Sequence, residues 1–323
     1  MMKYPKVTVL VTVKNMEGTI EKCVKSLLSL DYPNYRIFIT DAYSTDRTFE
    51  ILKKIKKRYP KKLRLEQFRG TIAAAHNYMI SRANTEFVAM SDADCVVDRK
   101  WLKNLISAFT SNDIIASTGF CSTPKSAKRF QKLIGMELED RFKHAKNFVL
   151  RGPTMNLAVR TKFAKEIKFD EKFDVAQETD WGYRLTKLGK MAYVPKAIVY
   201  HYHRSTLFSF LKQHGFRYGR SAVRLYFKHF SKAKGDHLTK QTILLQEYYF
   251  WIFCLSILLS FLYNYFILSI ILFIPLLFLY IYDILRFTKN PFHIISFIFI
   301  YFLRNIAYTI GMLVGIADLI IKR

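Results

Sequence analysis

The stretch that decides the fold is Glu86-Phe-Val-Ala-Met90, followed at once by Ser91-Asp92-Ala93-Asp94. A short apolar run carrying Phe and Val reads as a buried strand, and here it ends on two carboxylates. Working outward, Thr71–Ala83 is an Ala-rich helical segment and Leu63–Gln67 a short strand. Thr48–Tyr59 is a Lys-rich helix, and Arg36–Thr40 (RIFIT) another strand. In Gly18–Leu30 the apolar residues Ile20, Cys23, Val24, Leu27 and Leu28 recur with a helical period. Val7–Val13 (VTVLVTV) is a β-branched run suited to the middle of a parallel sheet. Strand and helix therefore alternate, which predicts a parallel α/β sheet with ligands at the C-terminal ends of its strands. The acids fall there: Asp41 follows the second strand, Asp92 and Asp94 the fourth. A carboxylate at a strand end can accept from a ribose or base edge. An Asp-x-Asp pair can hold a hard divalent cation that bridges a diphosphate. Arg69 and Lys14 are the nearby cations suited to phosphate.

Seven elements, in order, resemble those of family 2 glycosyltransferases with the GT-A fold, over about residues 6–230. Thr12-Val13-Lys14-Asn15 is similar to the family's first-strand element. Asp41-Ala-Tyr-Ser-Thr-Asp-Arg-Thr48 is similar to DDGSTDGT, with Ala42 in place of the second Asp. Arg69-Gly70 with Ala75-His76-Asn77 is similar to G…ARN, and Asp92-Ala93-Asp94 to DxD. Gly152 to Asn156 resembles a G…N element, and Gln177-Glu-Thr-Asp-Trp-Gly-Tyr-Arg184 resembles EDxDLxxR. Pro195 to Arg204 (PKAIVYHYHR) resembles the segment that carries a further His.

The resemblance implies an inverting transfer from a nucleotide diphosphate sugar. It implies Thr12, Lys14, Asn15, Asp41, Arg69, Asn77, Asp92, Asn156 and Arg204 on the nucleotide-sugar side. Asp94 and His201 would hold Mg²⁺ or Mn²⁺. Inversion needs a base within reach of the attacking oxygen. Aligning Arg184 with the family Arg puts Glu178 at that position, with Asp180 as the alternative. Trp181 is a candidate acceptor platform or a core side chain, and His76 and His203 are expected to be structural.

Composition adds the membrane. Of 323 residues, 51 are Lys or Arg against 25 Asp or Glu, a net +26, yet 51% are apolar. The two facts separate near Glu247. Beyond it, two acids (Asp283, Asp318) face five bases (Arg286, Lys289, Arg304, Lys322, Arg323), so the tail is +3 and residues 1–247 hold the other +23. Tyr248–Tyr282 has no charged residue, whereas a bilayer span needs about 20 apolar residues. Phe292–Ile321 is a second run, broken by Arg304, Asn305 and Asp318. Two or three spans are expected, three being favoured, with a turn at Asn264 and Arg304 turned to protein or to a headgroup. The short, polar Met1–Pro5 does not read as a signal peptide, and the basic part is expected to stay cytosolic on a multi-pass cell-membrane protein. The four cysteines show no CxxC spacing, which argues against a disulfide framework or structural zinc.

Between these regions Lys212, Arg217, Arg220, Arg224 and Lys228 form a helical stripe among Leu, Phe and Tyr, suited to anionic membrane lipids. Gly215 and Gly219 are expected to break it in two. The resulting expectation is an α/β GT-A domain over 1–204, with a Rossmann-like, mostly parallel sheet. An amphipathic interfacial segment over 205–247 and a transmembrane region over 248–323 follow. The function expected is transfer to a polyprenyl phosphate or lipid-linked glycan. The alternatives are a processive polysaccharide synthase and a non-catalytic scaffold. Gln213 to Tyr218 departs from the QxxRW element of such synthases by one residue and by Tyr for Trp. Nucleic acid is not expected as a partner, since the +23 comes with no nucleic-acid module.

Overall fold

The computed structural model describes residues 4–232, 235–263 and 266–321. The turn expected at Asn264, the start of Met1–Pro5 and the terminal Lys322 and Arg323 lie outside these described residues. The first half alternates as the sequence predicts: β1 (Val7–Val13), α1 (Ile20–Leu28), β2 (Tyr35–Asp41), α2 (Thr48–Arg58), β3 (Leu63–Gln67), α3 (Ile72–Ser81) and β4 (Phe87–Met90). Then come β5 (Cys95–Val97), α4 (Trp101–Ser107), β6 (Ile114–Ser122), α5 (Arg129–Lys143), β7 (Phe148–Val149), β8 (Leu157–Arg160), α6 (Thr161–Glu166), α7 (Gln177–Leu185) and β9 (Lys190–His201).

Among the described residues one nine-stranded sheet runs β3-β2-β1-β4-β8-β6-β9-β5, with β7 on β9. β1 to β4 pair in parallel, whereas β8 runs antiparallel between β4 and β6. The sheet is thus mixed, parallel where the nucleotide side is expected. Side chains alternate across it, as the strand period requires. Val7, Val9, Val11 and Val13 join Cys23 and Leu27 of α1 and Trp101 of α4 on one face. Leu10, Phe38, Val88 and Met90 join Met79 of α3 and Trp181 of α7 on the other. Burial on both faces is why these strands read as unbroken apolar runs.

The chain divides into two compact units, residues 1–125 with 145–202, and residues 126–144 with 203–323. The second holds α5 and a helical run from Leu207 to Lys228. In that run α8 (Leu207–Phe210), a π-helical segment (Leu211–Arg217) and α9 (Tyr218–Lys228) follow without interruption. The glycines do not break it. A Cβ on Gly219 would stand 2.1 Å from the Tyr308 carbonyl oxygen, and one on Gly311 would stand 2.1 Å from that of Phe216. Glycine serves here for close helix approach, a role that periodicity alone does not reveal. Gly219→Val is expected to overpack this contact and cost about 1–3 kcal/mol, read as a lower thermal midpoint in detergent.

Three helices follow: α10 (Gln241–Tyr263), α11 (Phe266–Leu285) and α12 (Pro291–Ile321). Their 23, 20 and 31 residues are long and apolar enough to cross a membrane. Leu276, Tyr280 and Ile284 of α11 pack with Phe297, Ile300 and Tyr301 of α12 and with Phe250 of α10. Arg304 is 5% exposed and turned to protein: it pairs with Glu137 of α5 at 3.2 Å and donates to Gln246. On the Leu207–Lys228 run, Phe208 and Phe227 are 77% and 79% exposed beside exposed Lys212, Arg220 and Lys228.

Candidate active site

β4 ends at Met90, and Ser91 N–H still donates to the Leu10 carbonyl, so the next residues leave the sheet at the ends of β1 and β4. Asp92 and Asp94, both half-buried, occupy this link, whose shape is held by Cys95 N–H donating to the Asp92 carbonyl. β5 then pairs antiparallel with β9, setting Cys95 opposite His201. That register brings His201 Nε2 to 3.5 Å from Asp94 Oδ2, across 107 positions of sequence.

Asp94, Cys95 and His201 offer ligand atoms within 4.8 Å of one another. Burial first, then Asp94 and Asp92, hold the Cys95 thiol well above its ordinary range, so it is a poor thiolate donor. Carboxylate and imidazole are the donors that suit a hard divalent cation. Burial, and then the Asp94 carboxylate, push Asp92 up to about 7; His201 and a Thr154 hydrogen bond oppose this, while Glu178 adds to it. Uncompensated negative charge of this kind favours a cation, and the residues present fit one.

Glu178 is half-buried in the first turn of α7 and lies close enough to Asp92 to repel it. Asp180, two residues on, is fully buried and closed in an ion pair with Arg184 at 2.7 Å. Ala176, which caps α7, has φ +63, a conformation that a residue with a Cβ adopts only when its surroundings impose it. The other non-glycine residues at positive φ among those described, Asn15 (+52) and Tyr43 (+53), follow β1 and β2.

Among the residues expected on the nucleotide side, Thr12 is half-buried and opposite Thr40, whereas Lys14, Asn15 and Arg69 are exposed. Asp41 is fully buried: its oxygens accept from the Ser44 hydroxyl and N–H and from Gln67. Asn15 Oδ1 accepts from Thr45 N–H at 2.8 Å, which ties the ends of β1 and β2 together.

Three expected contacts change character. Asn156 is fully buried; it accepts from Trp101 and donates to the Phe120 and Ala197 carbonyls, so it joins strands rather than facing a ligand. Asn77 holds the Phe169 backbone through both ends of its amide. Trp181 is 0% exposed, stacks on Phe169 at 4.3 Å and donates to the Ile167 carbonyl, so it offers no face to an acceptor. Trp181→Phe is expected to cost about 1–2 kcal/mol of stability and leave the acceptor KM unchanged. A raised acceptor KM at unchanged stability would instead place the indole at the acceptor. His76, fully buried against Phe169, is driven by burial down to about 4 and is neutral at neutral pH. Arg204 is exposed and His203 buried, both in the second unit. Motif reading missed Thr154, which reaches Asp92 from the turn before β8, and Cys95, which the β5–β9 pairing sets beside His201; both depend on residues distant in sequence.

A sheet parallel at β1 to β4, with acids and basic groups at the strand ends, is the GT-A architecture of sugar-nucleotide enzymes. A mannosyltransferase from Pyrobaculum calidifontis, solved with GDP-Man and Mn²⁺, superposes with TM-score 0.55 over 99% of this chain and 75% of that one, at 15% identity. The family profile "Glycosyl transferase family 2" matches residues 8–167: the chain carries a family 2 glycosyltransferase domain. A beta-monoglucosyldiacylglycerol synthase of Synechocystis is 34% identical over 113 residues, which are 33% of this chain and only 24% of that protein. A dolichyl N-acetyl-alpha-D-glucosaminyl phosphate glucuronosyltransferase of Methanococcus voltae, whose sugar is a 2,3-diacetamido-2,3-dideoxy derivative, is 27% identical over 225 residues. That match covers 64% of this chain and 70% of the other.

Proposed function

We propose that this chain is an inverting, metal-dependent glycosyltransferase that moves a sugar from a nucleoside diphosphate sugar to a lipid-borne acceptor at the cytosolic membrane face. The single observation that carries it is the grouping of Asp92, Asp94 and His201 at strand ends with Glu178 of α7, all in one unit, in a chain that also has three helices fit to cross a membrane. A lipid is named in both relatives, and the exposed Phe and Lys side chains of the Leu207–Lys228 run suit an anionic lipid surface.

Asp94 and His201 would hold the divalent cation, with Asp92 beside them. Bound there, it would neutralise the diphosphate as that group leaves. Lys14 and Asn15, after β1, and Arg69, after β3, take the nucleotide side, next to the loop after β2 that Asp41 orders from within. Glu178 removes the proton from an acceptor hydroxyl while its oxygen attacks the anomeric carbon from the face opposite the diphosphate. The anomeric C–O bond breaks, and the nucleoside diphosphate leaves with the electron pair. Asp180 is the weaker candidate, because its carboxylate is already committed to Arg184. The test is a panel of sugar nucleotides offered to the full chain in nanodiscs with Mn²⁺ or Mg²⁺. Metal-dependent release of UDP or GDP, with one sugar added to an isoprenoid or diacylglycerol lipid, is the expected result. No turnover and no thermal shift with any donor would overturn the reading, and a polymeric product would favour a processive synthase.

A further inference from the structure

Tyr43 is an unexpected residue at the end of β2. It occupies the place of the glycine in the DDGS element that this stretch resembles, and its φ is +53. That region suits glycine, and a tyrosine there carries a backbone cost. The cost is imposed from both sides of the residue. Ala42 N–H donates to the Val13 carbonyl at 2.8 Å, and Ser44 donates its N–H and hydroxyl to Asp41. Ser44 Oγ also accepts from Asn15 N–H at 2.9 Å. These bonds fix the turn, so the ring of residue 43 is held out from the loop, 47% exposed.

The ring is not bare. The Arg69 guanidinium lies over it, 5.1 Å from the centroid, and the chain next to Arg69 is tied to the same strand end by Phe68 N–H donating to the Asp41 carbonyl at 3.0 Å. An aromatic ring and a planar cation, each anchored to one strand end and open to solvent, form a layer suited to a flat π-system bearing negative charge elsewhere. Its position fits that occupant. In the sheet β2 is next to β1, and β1 is next to β4. Neighbouring strands lie about 4.8 Å apart, so this layer stands roughly 10 Å from the carboxylates that follow β4. That is comparable to the reach of a ribose and a diphosphate together.

We propose that Tyr43, backed by Arg69, is the stacking surface for the nucleobase of the donor. The inference rests on the nucleotide-sugar reading above, and it adds the residue that grips the base. Base stacking on an aromatic side chain is sequence-tolerant, so this contact supplies affinity, while the choice of base falls to hydrogen bonds elsewhere.

The experiment measures binding of UDP, GDP and inorganic pyrophosphate, each with Mn²⁺, to the full chain in nanodiscs, for wild type, Tyr43→Gly, Tyr43→Leu and Tyr43→Phe. Expected is an affinity loss of about tenfold or more for the nucleotides in the Gly and Leu variants, with near wild-type binding in Tyr43→Phe. Pyrophosphate affinity should stay unchanged in all of them. Tyr43→Gly should also melt no lower than wild type, because glycine relieves the positive φ; a merely structural ring would lower the melting temperature. Unchanged nucleotide affinity in Tyr43→Gly overturns the proposal, and so does a loss confined to the acceptor KM. If wild type binds no nucleoside diphosphate at all, the functional reading itself fails and this inference falls with it.

Discussion

Glu178→Gln is expected to lower turnover at least about 1,000-fold, equivalent to about 4 kcal/mol of transition-state stabilisation, while donor affinity stays near wild type. The amide keeps the shape and the helix position but cannot take a proton. It also removes a negative charge from the neighbourhood of Asp92, which eases the approach of an anionic diphosphate, so nucleotide affinity should not fall. Asp94→Asn is expected to reduce turnover by as much with the opposite signature: metal-dependent binding of the nucleoside diphosphate is lost. Single-turnover rates alongside calorimetric titration separate the two. The size of the Glu178→Gln effect also depends on the acceptor. A hydroxyl must lose its proton as it attacks, whereas a lipid phosphate is already an anion and needs little base. A deficit below about tenfold would therefore point to a phosphate acceptor, and an undiminished rate would remove Glu178 from the base role.

Glu137→Ala is expected to destabilise the second unit by about 3–5 kcal/mol, which can abolish folding. Glu137 is 5% exposed and accepts from Arg141 at 2.6 Å and from Arg304 at 3.2 Å. Removing it leaves the buried Arg304 and the half-buried Arg141 without their shared anion. Replacing both partners of the pair with apolar residues, Glu137→Leu with Arg304→Met, should cost less than either change alone. Burial by itself would raise the Glu137 carboxyl, yet Arg141 and Arg304 outweigh it and hold it at about 2. Because the folded pKa lies below the unfolded value, the stabilisation is complete above about pH 4.3 and is lost as pH falls towards 2. Thermal midpoints across that window, in wild type and in the double variant, check both statements. A midpoint in Glu137→Ala equal to wild type would rule out a structural role for the pair.

The parallel part of the sheet was readable because Val7–Val13, Tyr35–Asp41 and Phe87–Met90 are buried on both faces and show it in composition. The long apolar C-terminal helices were readable too, since a charge-free run of that length shows in composition alone. The acids at strand ends were readable because they punctuate apolar runs. β8 inserting antiparallel between β4 and β6 was not, because Leu157–Arg160 is four residues long and its place depends on partners far away in sequence.

Residue identity left other roles open that only packing decided. The motif around Gln177–Arg184 offers two carboxylates and an indole, and nothing in their order says which is used. Folding turned Trp181 into the core and closed Asp180 onto Arg184, while Glu178 stayed beside Asp92. Gly215 and Gly219 read as helix breakers, yet they are where α12 comes closest, because helix propensity is a weak term beside close backbone packing. By itself the sequence determined the class of fold, the family, the apolar tail and the strand ends that carry acids, since each is written in local periodicity or in a contiguous motif. The tertiary structure alone decided which acid meets His201, which carboxylates are buried, and which side chains stay exposed. Those outcomes depend on the register of β5 against β9 and on burial, and both are set by contacts between distant parts of the chain.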